Sequence, residues 1–402
     1  MLTPGRRRGG TLRLTLVLGL LGSFGPLSID MYLPQLPELA AKLGTSDALA
    51  QATMSLCMIG LGIGQLIAGP LSDRFGRKRP LVIGVLLFVV FSVVCALAPG
   101  IEVLLAARFL QGLAGSAGVV ITMAVARDLF EGAELSRMLS MLALVTFTMP
   151  IVAPVIGGQL AHIMDWRGIF LVLAGIGAVF SLLAIFGLGE TLHAEHRHDG
   201  ALLGGTASHL GAVFRDPLFA ALFIASCLGG LAFFCYLSMS SFVLQDELGL
   251  SPQWFSLVFA MNAVAELGGA QTSRLLVRRV GPRRMYLIGQ TTGAVTGLLL
   301  FVATLAGAPL WLFLALLAVF LGGIGVGGPN GTVLALGRHG GRAGTASAVM
   351  GMAMFTVGGI GGPVIAELAG TSAITMVSVI AAGTLAAAAI ALTVVRRLAP
   401  RG

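Results

Sequence analysis

Along this chain the apolar residues neither alternate as in a half-buried strand nor recur every third or fourth position as on one helix face. They run on in long blocks, and short breaks between the blocks hold most of the charge. A bilayer core of ~30 Å takes about 20 such residues per helix. Cutting at the breaks predicts twelve membrane-spanning helices, at 13–36, 47–70, 80–98, 102–125, 136–161, 167–188, 217–244, 252–276, 284–305, 309–336, 342–367 and 372–395.

Composition removes the soluble alternative. Of 402 residues, 56% are hydrophobic and 10% charged, against the roughly 25% charged that a soluble surface requires. Mean hydropathy is +0.96. The 57 glycines suit helices that pack backbone against backbone in lipid. Cys57, Cys95, Cys227 and Cys235 all fall inside apolar blocks and read as buried thiols, without the loop clustering of a disulfide framework or zinc site.

The net charge of +8 needs no nucleic acid to explain it. With both termini placed in the cytoplasm, only Lys42 and Arg167 fall outside and Arg108 falls within a span. The other twenty-two of the 25 Lys and Arg lie on the cytoplasmic side. That bias sets orientation and accounts for the charge together.

The two halves echo each other. Leu43-Gly44-Thr45-Ser46 matches Leu248-Gly249-Leu250-Ser251 at an offset of 205, and Ala153-Pro154-Val155-Ile156 matches Gly362-Pro363-Val364-Ile365 at 209. Arg108 to Gly112 corresponds to Val319 to Gly323 at 211. The expected organisation is therefore a six-helix bundle at 1–189, a cytoplasmic linker at 190–216 and a second bundle at 217–402. Paired repeats of this kind build transporters that open alternately to each side. His193, His196 and His198 in the linker read as solvated residues, and no metal site is expected.

Four stretches carry the chemistry. The loop after the second span reads Gly69-Pro70-Leu71-Ser72-Asp73-Arg74-Phe75-Gly76-Arg77-Lys78-Arg79. Gly76 allows a tight turn, and Asp73 can pair with arginine or face a helix N-terminus. The fourth span holds Arg108-Phe109-Leu110-Gln111-Gly112 and closes on Arg127-Asp128, and the fifth holds Pro154-Val155-Ile156-Gly157-Gly158. The first span contains Leu27-Ser28-Ile29-Asp30-Met31-Tyr32-Leu33-Pro34. Across the whole chain these stretches resemble the major facilitator superfamily, and within it the Bcr/CflA group of drug-resistance exporters. Ala153 and Met149 replace glycines of the fifth-helix antiporter motif, so that signature is partial.

The resemblance implies an all-α membrane fold of twelve transmembrane helices in two pseudo-symmetric six-helix bundles around a central cavity. It implies conformational gating by Asp73, Arg74, Gly76, Arg77, Arg127, Asp128, Pro154, Gly157 and Gly158. It also implies a monomer in the bacterial inner membrane, multi-pass, in contact with lipid and a small-molecule substrate.

Ionisable groups inside spans are expensive and point to function. Asp30 lies eight residues before Glu38, or about 12 Å below the outer edge at ~1.5 Å per residue, and Arg108 lies six residues after Glu102, or about 9 Å below it. Burial and a nearby guanidinium act in opposite senses on a carboxyl's proton affinity, so Asp30 is expected to carry the proton and Arg108 to modulate it. Glu266 and Asn262 share a face of the eighth span. With Tyr32, Gln111, Phe147, Phe233 and Tyr236 they form the expected substrate-binding set.

The expected function is a proton-coupled antiporter exporting drugs or other small amphipathic molecules, with the proton as coupling ion and no other cofactor. The alternative is a metabolite exporter or importer of the same superfamily. Neither a nucleotide-binding motif nor a catalytic array at membrane depth favours a pump or an enzyme.

Overall fold

The computed structural model describes residues 8–192, 214–337 and 343–398, and all regular structure among them is helical. The three linker histidines lie outside the described residues. Two compact units emerge, Met1–Thr45 with Thr53–Leu202, and Ser46–Ala52 with Leu203–Gly402. The grouping of Ser46–Ala52 with the second unit was not foreseen.

The first half contains α1 (Arg8–Gly22), α2 (Phe24–Asp30), α3 (Leu36–Leu43), α4 (Asp47–Phe75), α5 (Lys78–Ala96), α6 (Ile101–Leu129), α7 (Gly132–Leu160) and α8 (Trp166–Gly187). The second contains α9 (Pro217–Phe242), α10 (Pro252–Val280), α11 (Pro282–Leu305), α12 (Leu310–Leu336), α13 (Ala343–Ala369), α14 (Ala373–Ile390) and α15 (Arg396–Leu398). Ten helices are long and apolar enough to cross a membrane, and α1 to α3 make an eleventh span as a pair bent by 43°. The twelfth expected span is α10, 29 residues long and made more polar by Glu266, Arg274, Arg278 and Arg279.

The bend in the first span has a local cause. Pro26 cannot donate to the Gly22 carbonyl, and Ser23 Oγ donates to the Leu20 carbonyl at 2.7 Å. The helix stops again at Asp30, and a 3₁₀ turn containing Pro34 follows at Leu33–Gln35. Asp30 thus sits at an interruption rather than within continuous helix.

Glycine sets the closest helix crossings. A Cβ on Gly60 would collide with the Phe109 carbonyl oxygen, and one on Gly112 with the Cys57 carbonyl oxygen, so α4 and α6 touch main chain to main chain. In the second unit Gly269 stands against the Gly322 carbonyl and Gly325 against that of Glu266, locking α10 to α12 in the same way. Gly60 to Gly269 and Cys57 to Glu266 are both 209 positions apart, and Phe109 to Gly322 and Gly112 to Gly325 are both 213.

These crossings correct the sequence-derived register of the repeat. The helix starts differ by 205 (Asp47 to Pro252) and 209 (Ile101 to Leu310), so each crossing lies four residues, about one turn, deeper in the second half. The counterpart of Arg108 is therefore Leu321, 1% exposed, and not Val319, which is 50% exposed.

Candidate functional site

Arg108 is fully buried, with 0% of its surface exposed. Its position on α6 is fixed by the glycine crossing one turn away at Gly112, which brings α4 into main-chain contact. Nη1 donates to Gln111 Oε1 at 2.5 Å, Nη2 to the Ser28 carbonyl at 2.9 Å, and Nε to the Thr53 carbonyl at 3.3 Å. Gln111 Nε2 in turn donates to Ser92 Oγ at 2.7 Å, and Ser92 Oγ to the Phe88 carbonyl at 2.7 Å. The guanidinium carbon lies 4.4 Å from the centre of the Tyr32 ring and 5.4 Å from that of Phe170. A buried cation is tolerable when its donors are satisfied and aromatic faces supply negative potential around it. Five helices contribute to this one charge: α2, α4, α5, α6 and α8.

Asp30 is 6% exposed and closes α2. The segment bearing it is held by Arg108 from both sides, through the Ser28 carbonyl two residues before and the Tyr32 ring two residues after. Tyr32 is itself tied to α4, its hydroxyl 3.0 Å from Thr53 Oγ1. From the other direction Gly157 of α7 is so close to the Met31 carbonyl that a Cβ there would overlap it. The predicted residues Asp30, Tyr32, Arg108, Gln111 and Gly157 thus belong to one neighbourhood. Pro154 and Gly158 lie on the same helix as Gly157, both inside α7.

A second polar network occupies the arginine-rich end of the first unit. Gly76 adopts φ +87°, which only glycine takes without strain, and turns α4 into α5. The Arg77 guanidinium donates from Nε to Asp128 Oδ2 at 2.8 Å, from Nη2 to Asp128 Oδ1 at 3.3 Å, and from Nη1 to Asp73 Oδ1 at 2.5 Å and Ser72 Oγ at 2.8 Å. Burial opposes the charge of Arg77, and Asp128 and Asp73 outweigh it, so its hold on its proton is raised. Glu190 accepts from the main-chain N–H of Arg77 at 2.8 Å and Lys78 at 3.3 Å, capping α5 from a point 113 residues away. Burial works against the charged form of Glu190, but N–H donors from Arg77, Leu192, Lys78 and Thr191 prevail and hold it below the ordinary carboxylate range. Thr191 Oγ1 completes the ring by donating to Asp128 Oδ2 at 3.0 Å.

In the second unit Asn262 Nδ2 donates to the Tyr236 hydroxyl at 3.1 Å. The Tyr236 ring stacks on Phe259 at 6.0 Å and lies 6.4 Å from Phe233. Glu266 is one turn beyond Asn262, half-buried, and no hydrogen bond or ion pair reaches its carboxylate among the described residues.

Several expectations end elsewhere. Arg127 is exposed and outside the Asp128 network. Arg74 lies over the Phe75 ring at 5.4 Å. The Phe147 side chain is outside the described residues. Cys227 is half-buried, unlike Cys57, Cys95 and Cys235, which are buried. Sequence reasoning missed Thr53, Ser92, Phe170 and Glu190. Thr53 and Ser92 were detectable as polar residues inside apolar spans. Phe170 resembles any other phenylalanine, and Glu190 borders the linker with nothing local to mark it as a cap.

Comparison with known proteins bears on family and fold. The model of the Major Facilitator Superfamily matches residues 18–365. The MFS-type transporter YdgK of Bacillus subtilis (strain 168) is 39% identical over 362 residues, 88% of each chain. A bicyclomycin resistance protein homolog of Haemophilus influenzae is 32% identical, again over 88% of each chain. The multidrug resistance protein MdtL of Klebsiella pneumoniae (strain 342) is 30% identical over 82% of each. Among solved structures the nucleoside transporter NupG superposes with a TM-score of 0.77 at 16% identity, covering 97% of this chain and 100% of that one. That likeness is one of fold.

Proposed function

The chain belongs to the major facilitator superfamily, and from that footing we propose that it is a proton-coupled antiporter exporting small amphipathic molecules, drugs among them, by alternating access. It is a multi-pass membrane transporter whose relatives include proteins named for bicyclomycin and multidrug resistance. The proposed setting is the bacterial inner membrane, with both termini and the Arg77 network cytoplasmic, as the distribution of arginine favours.

One observation carries the reading. A fully buried guanidinium is clamped to the main chain and ring that flank the buried carboxyl of Asp30. Asp30 sits at an interruption of the first span, where a small change of backbone angle alters both its access to water and its distance from Arg108. Proton binding from outside and release inside then drive substrate outward. The Arg77, Asp73, Asp128 and Glu190 network stiffens the cytoplasmic end of the helices that carry the site. The protein acts as a monomer in contact with lipid.

The test is efflux from cells lacking their main exporters. Expression is expected to lower accumulation of a fluorescent amphipathic dye, and a protonophore or Asp30→Asn to abolish the effect. Undiminished proton-coupled efflux in Asp30→Asn overturns the assignment of the coupling residue.

A further inference from the structure

Gly281 turns the chain in the second unit as Gly76 does in the first, with φ +85° against +87°. Counted from these glycines, Asp73-Arg74 corresponds to Arg278-Arg279, and Lys78-Arg79 to Arg283-Arg284. The turn is kept, and its acid is exchanged for a further guanidinium.

The end of the last helix joins this group. A π-turn, Ala391–Val395, closes α14, and Val395 shares a core cluster with Tyr286 of α11 and Leu218 of α9. Arg396 and Arg397 follow directly, and Arg283 Nη2 donates to the Arg396 carbonyl. In the first unit Arg77 is met by Asp73 and Asp128. Here none of Arg278, Arg279, Arg283, Arg284, Arg396 and Arg397 makes an ion pair among the described residues. Asp216 is the acid at this end, and its carboxylate caps α9 by accepting from the Leu218 N–H at 2.9 Å.

Exposed arginines are enough to orient a membrane protein. Arg283 is not one of them. It is half-buried, and its Nε is shut away from solvent with no acceptor reaching it among the described residues. A buried donor of a charged group is costly to leave unmet, and five further guanidinium groups of the same sign stand on the neighbouring turns. Such an edge calls for an anion. The surface beside it indicates which kind, since Leu275, Leu276, Ile288 and Leu392 lie about one turn from the arginines and are all exposed.

We propose that this corner of the second unit is a docking site for an anionic phospholipid. Its phosphodiester sits between Arg283 and the arginines of α10 and α15, and its acyl chains lie along the exposed leucines and Ile288. Guanidinium groups bind phosphate through paired donors, and basic pockets between helices at a membrane surface attract anionic headgroups. A zwitterionic headgroup brings its own cation to the phosphate and gains less. The bound lipid ties the ends of α10, α11 and α14 together, whatever solute the protein carries.

The experiment uses the purified full-length protein in mixed micelles holding equal amounts of dioleoylphosphatidylglycerol and dioleoylphosphatidylcholine. Mass spectrometry of the washed protein counts each lipid retained. The wild type is expected to prefer phosphatidylglycerol, and Arg283→Gln to lower that preference about fivefold, the effect of one cation at an anionic surface. Arg278→Gln/Arg279→Gln should lower it tenfold or more. Both of those residues are exposed, so the double variant carries the test if loss of the Arg396 tie unfolds Arg283→Gln. Arg137→Gln, at an exposed position of α7, should leave the preference at the wild-type value. No preference in the wild type, or an unchanged preference in the second-unit variants, overturns the proposal. So does an equal fall in Arg137→Gln, which would make net charge the cause. Displacement of the lipid by excess inorganic phosphate would show a free-anion site instead and overturns it too.

Discussion

Arg77 and Asp128 meet as a bidentate pair, Nε to Oδ2 at 2.8 Å and Nη2 to Oδ1 at 3.3 Å, although α4 and α5 supply one partner and the end of α6 the other. Their side chains are 9% and 16% exposed. Only a guanidinium can present two parallel donors to one carboxylate while a third nitrogen reaches Asp73. The pair is therefore sensitive to shape as well as charge.

Asp128→Asn is expected to destabilise the protein by about 3 kcal/mol, because it leaves a largely buried guanidinium short of its charge partner. Arg77→Lys should recover little of the loss in an Arg77→Ala protein, since one ammonium cannot span Asp128 and Asp73 together. Thermal unfolding in detergent decides both. Arg127→Ala, at an exposed neighbouring position, should leave the melting temperature near wild type.

Glu190 gives the same network a pH dependence. Its carboxyl is held below the ordinary range, so the stability it contributes is present above its unfolded value and lost as pH falls through the lower folded value. Glu190→Gln should cost about 0.5–1 kcal/mol near neutrality, the lower part of the capping range, because the group is exposed and water screens it. The deficit relative to wild type should shrink in melts taken at progressively more acid pH. A deficit that stays constant from neutrality down to the unfolded range would remove the capping role.

Much of this architecture is legible in the sequence, and what is hidden has a common cause. Block hydrophobicity reveals the spans because lipid imposes one length on all of them. The Asp73 and Arg77 motif and the buried Arg108 announce themselves because charge is scarce. The partners of Arg108 do not. Two of its three hydrogen bonds end on main-chain carbonyls, of Ser28 and Thr53, which every residue possesses. The one-turn shift in the repeat is also invisible locally, since it lies in which glycine of α10 faces which carbonyl of α12. Matching the motif Arg108 to Gly112 to Val319 to Gly323 on residue types alone therefore misplaces the counterpart by two positions.

That crossing register is open to mutation. Gly112→Ala and Gly325→Ala each drive a methyl group into a main-chain oxygen that cannot move alone, and should destabilise by about 1–3 kcal/mol or more. Gly62→Ala and Gly328→Ala lie on the same paired helices with open space around them. There the lower freedom of the unfolded chain should make alanine neutral or stabilising by up to about 1 kcal/mol. Melting temperatures of the four variants test whether close approach, rather than glycine content, holds the pairs.

Gln111 positions Arg108 without touching Asp30 in the hydrogen bonds that define the cluster. Gln111→Ala frees Nη1 and cuts the link to Ser92, so the guanidinium loses one of its three anchors. Proton-driven dye efflux should fall about tenfold or more, in line with the loss of a hydrogen bond to a charged group at roughly 1.5–3 kcal/mol. Gln111→Glu, which keeps the acceptor and adds a charge, should shift the pH at which efflux is half-maximal. A structural role alone would leave that pH where it is in the wild type.

Thr53 and Asn262 are 209 positions apart, and each is hydrogen-bonded to a tyrosine, Tyr32 and Tyr236, so these matched tyrosines separate geometry from energetics. Tyr32→Phe removes the hydroxyl facing Thr53 but keeps the ring beneath Arg108, and a threonine hydroxyl can rotate to another acceptor, so the cost should be about 1 kcal/mol. Tyr32→Leu also removes the ring face and should cost about 2 kcal/mol more, the upper value for a desolvated cation over an aromatic. Tyr236→Phe leaves the buried amide of Asn262 without its acceptor, and a planar amide cannot turn away as a hydroxyl does. It should therefore cost about 2 kcal/mol, more than Tyr32→Phe despite the matched contact. Asn262→Ala in the Tyr236→Phe background should return part of that loss, because it removes the stranded donor. A double-mutant cycle on thermal stability measures the difference. Equal costs for the two Tyr→Phe variants would mean that the two sites differ less in chemistry than Thr53 and Asn262 imply.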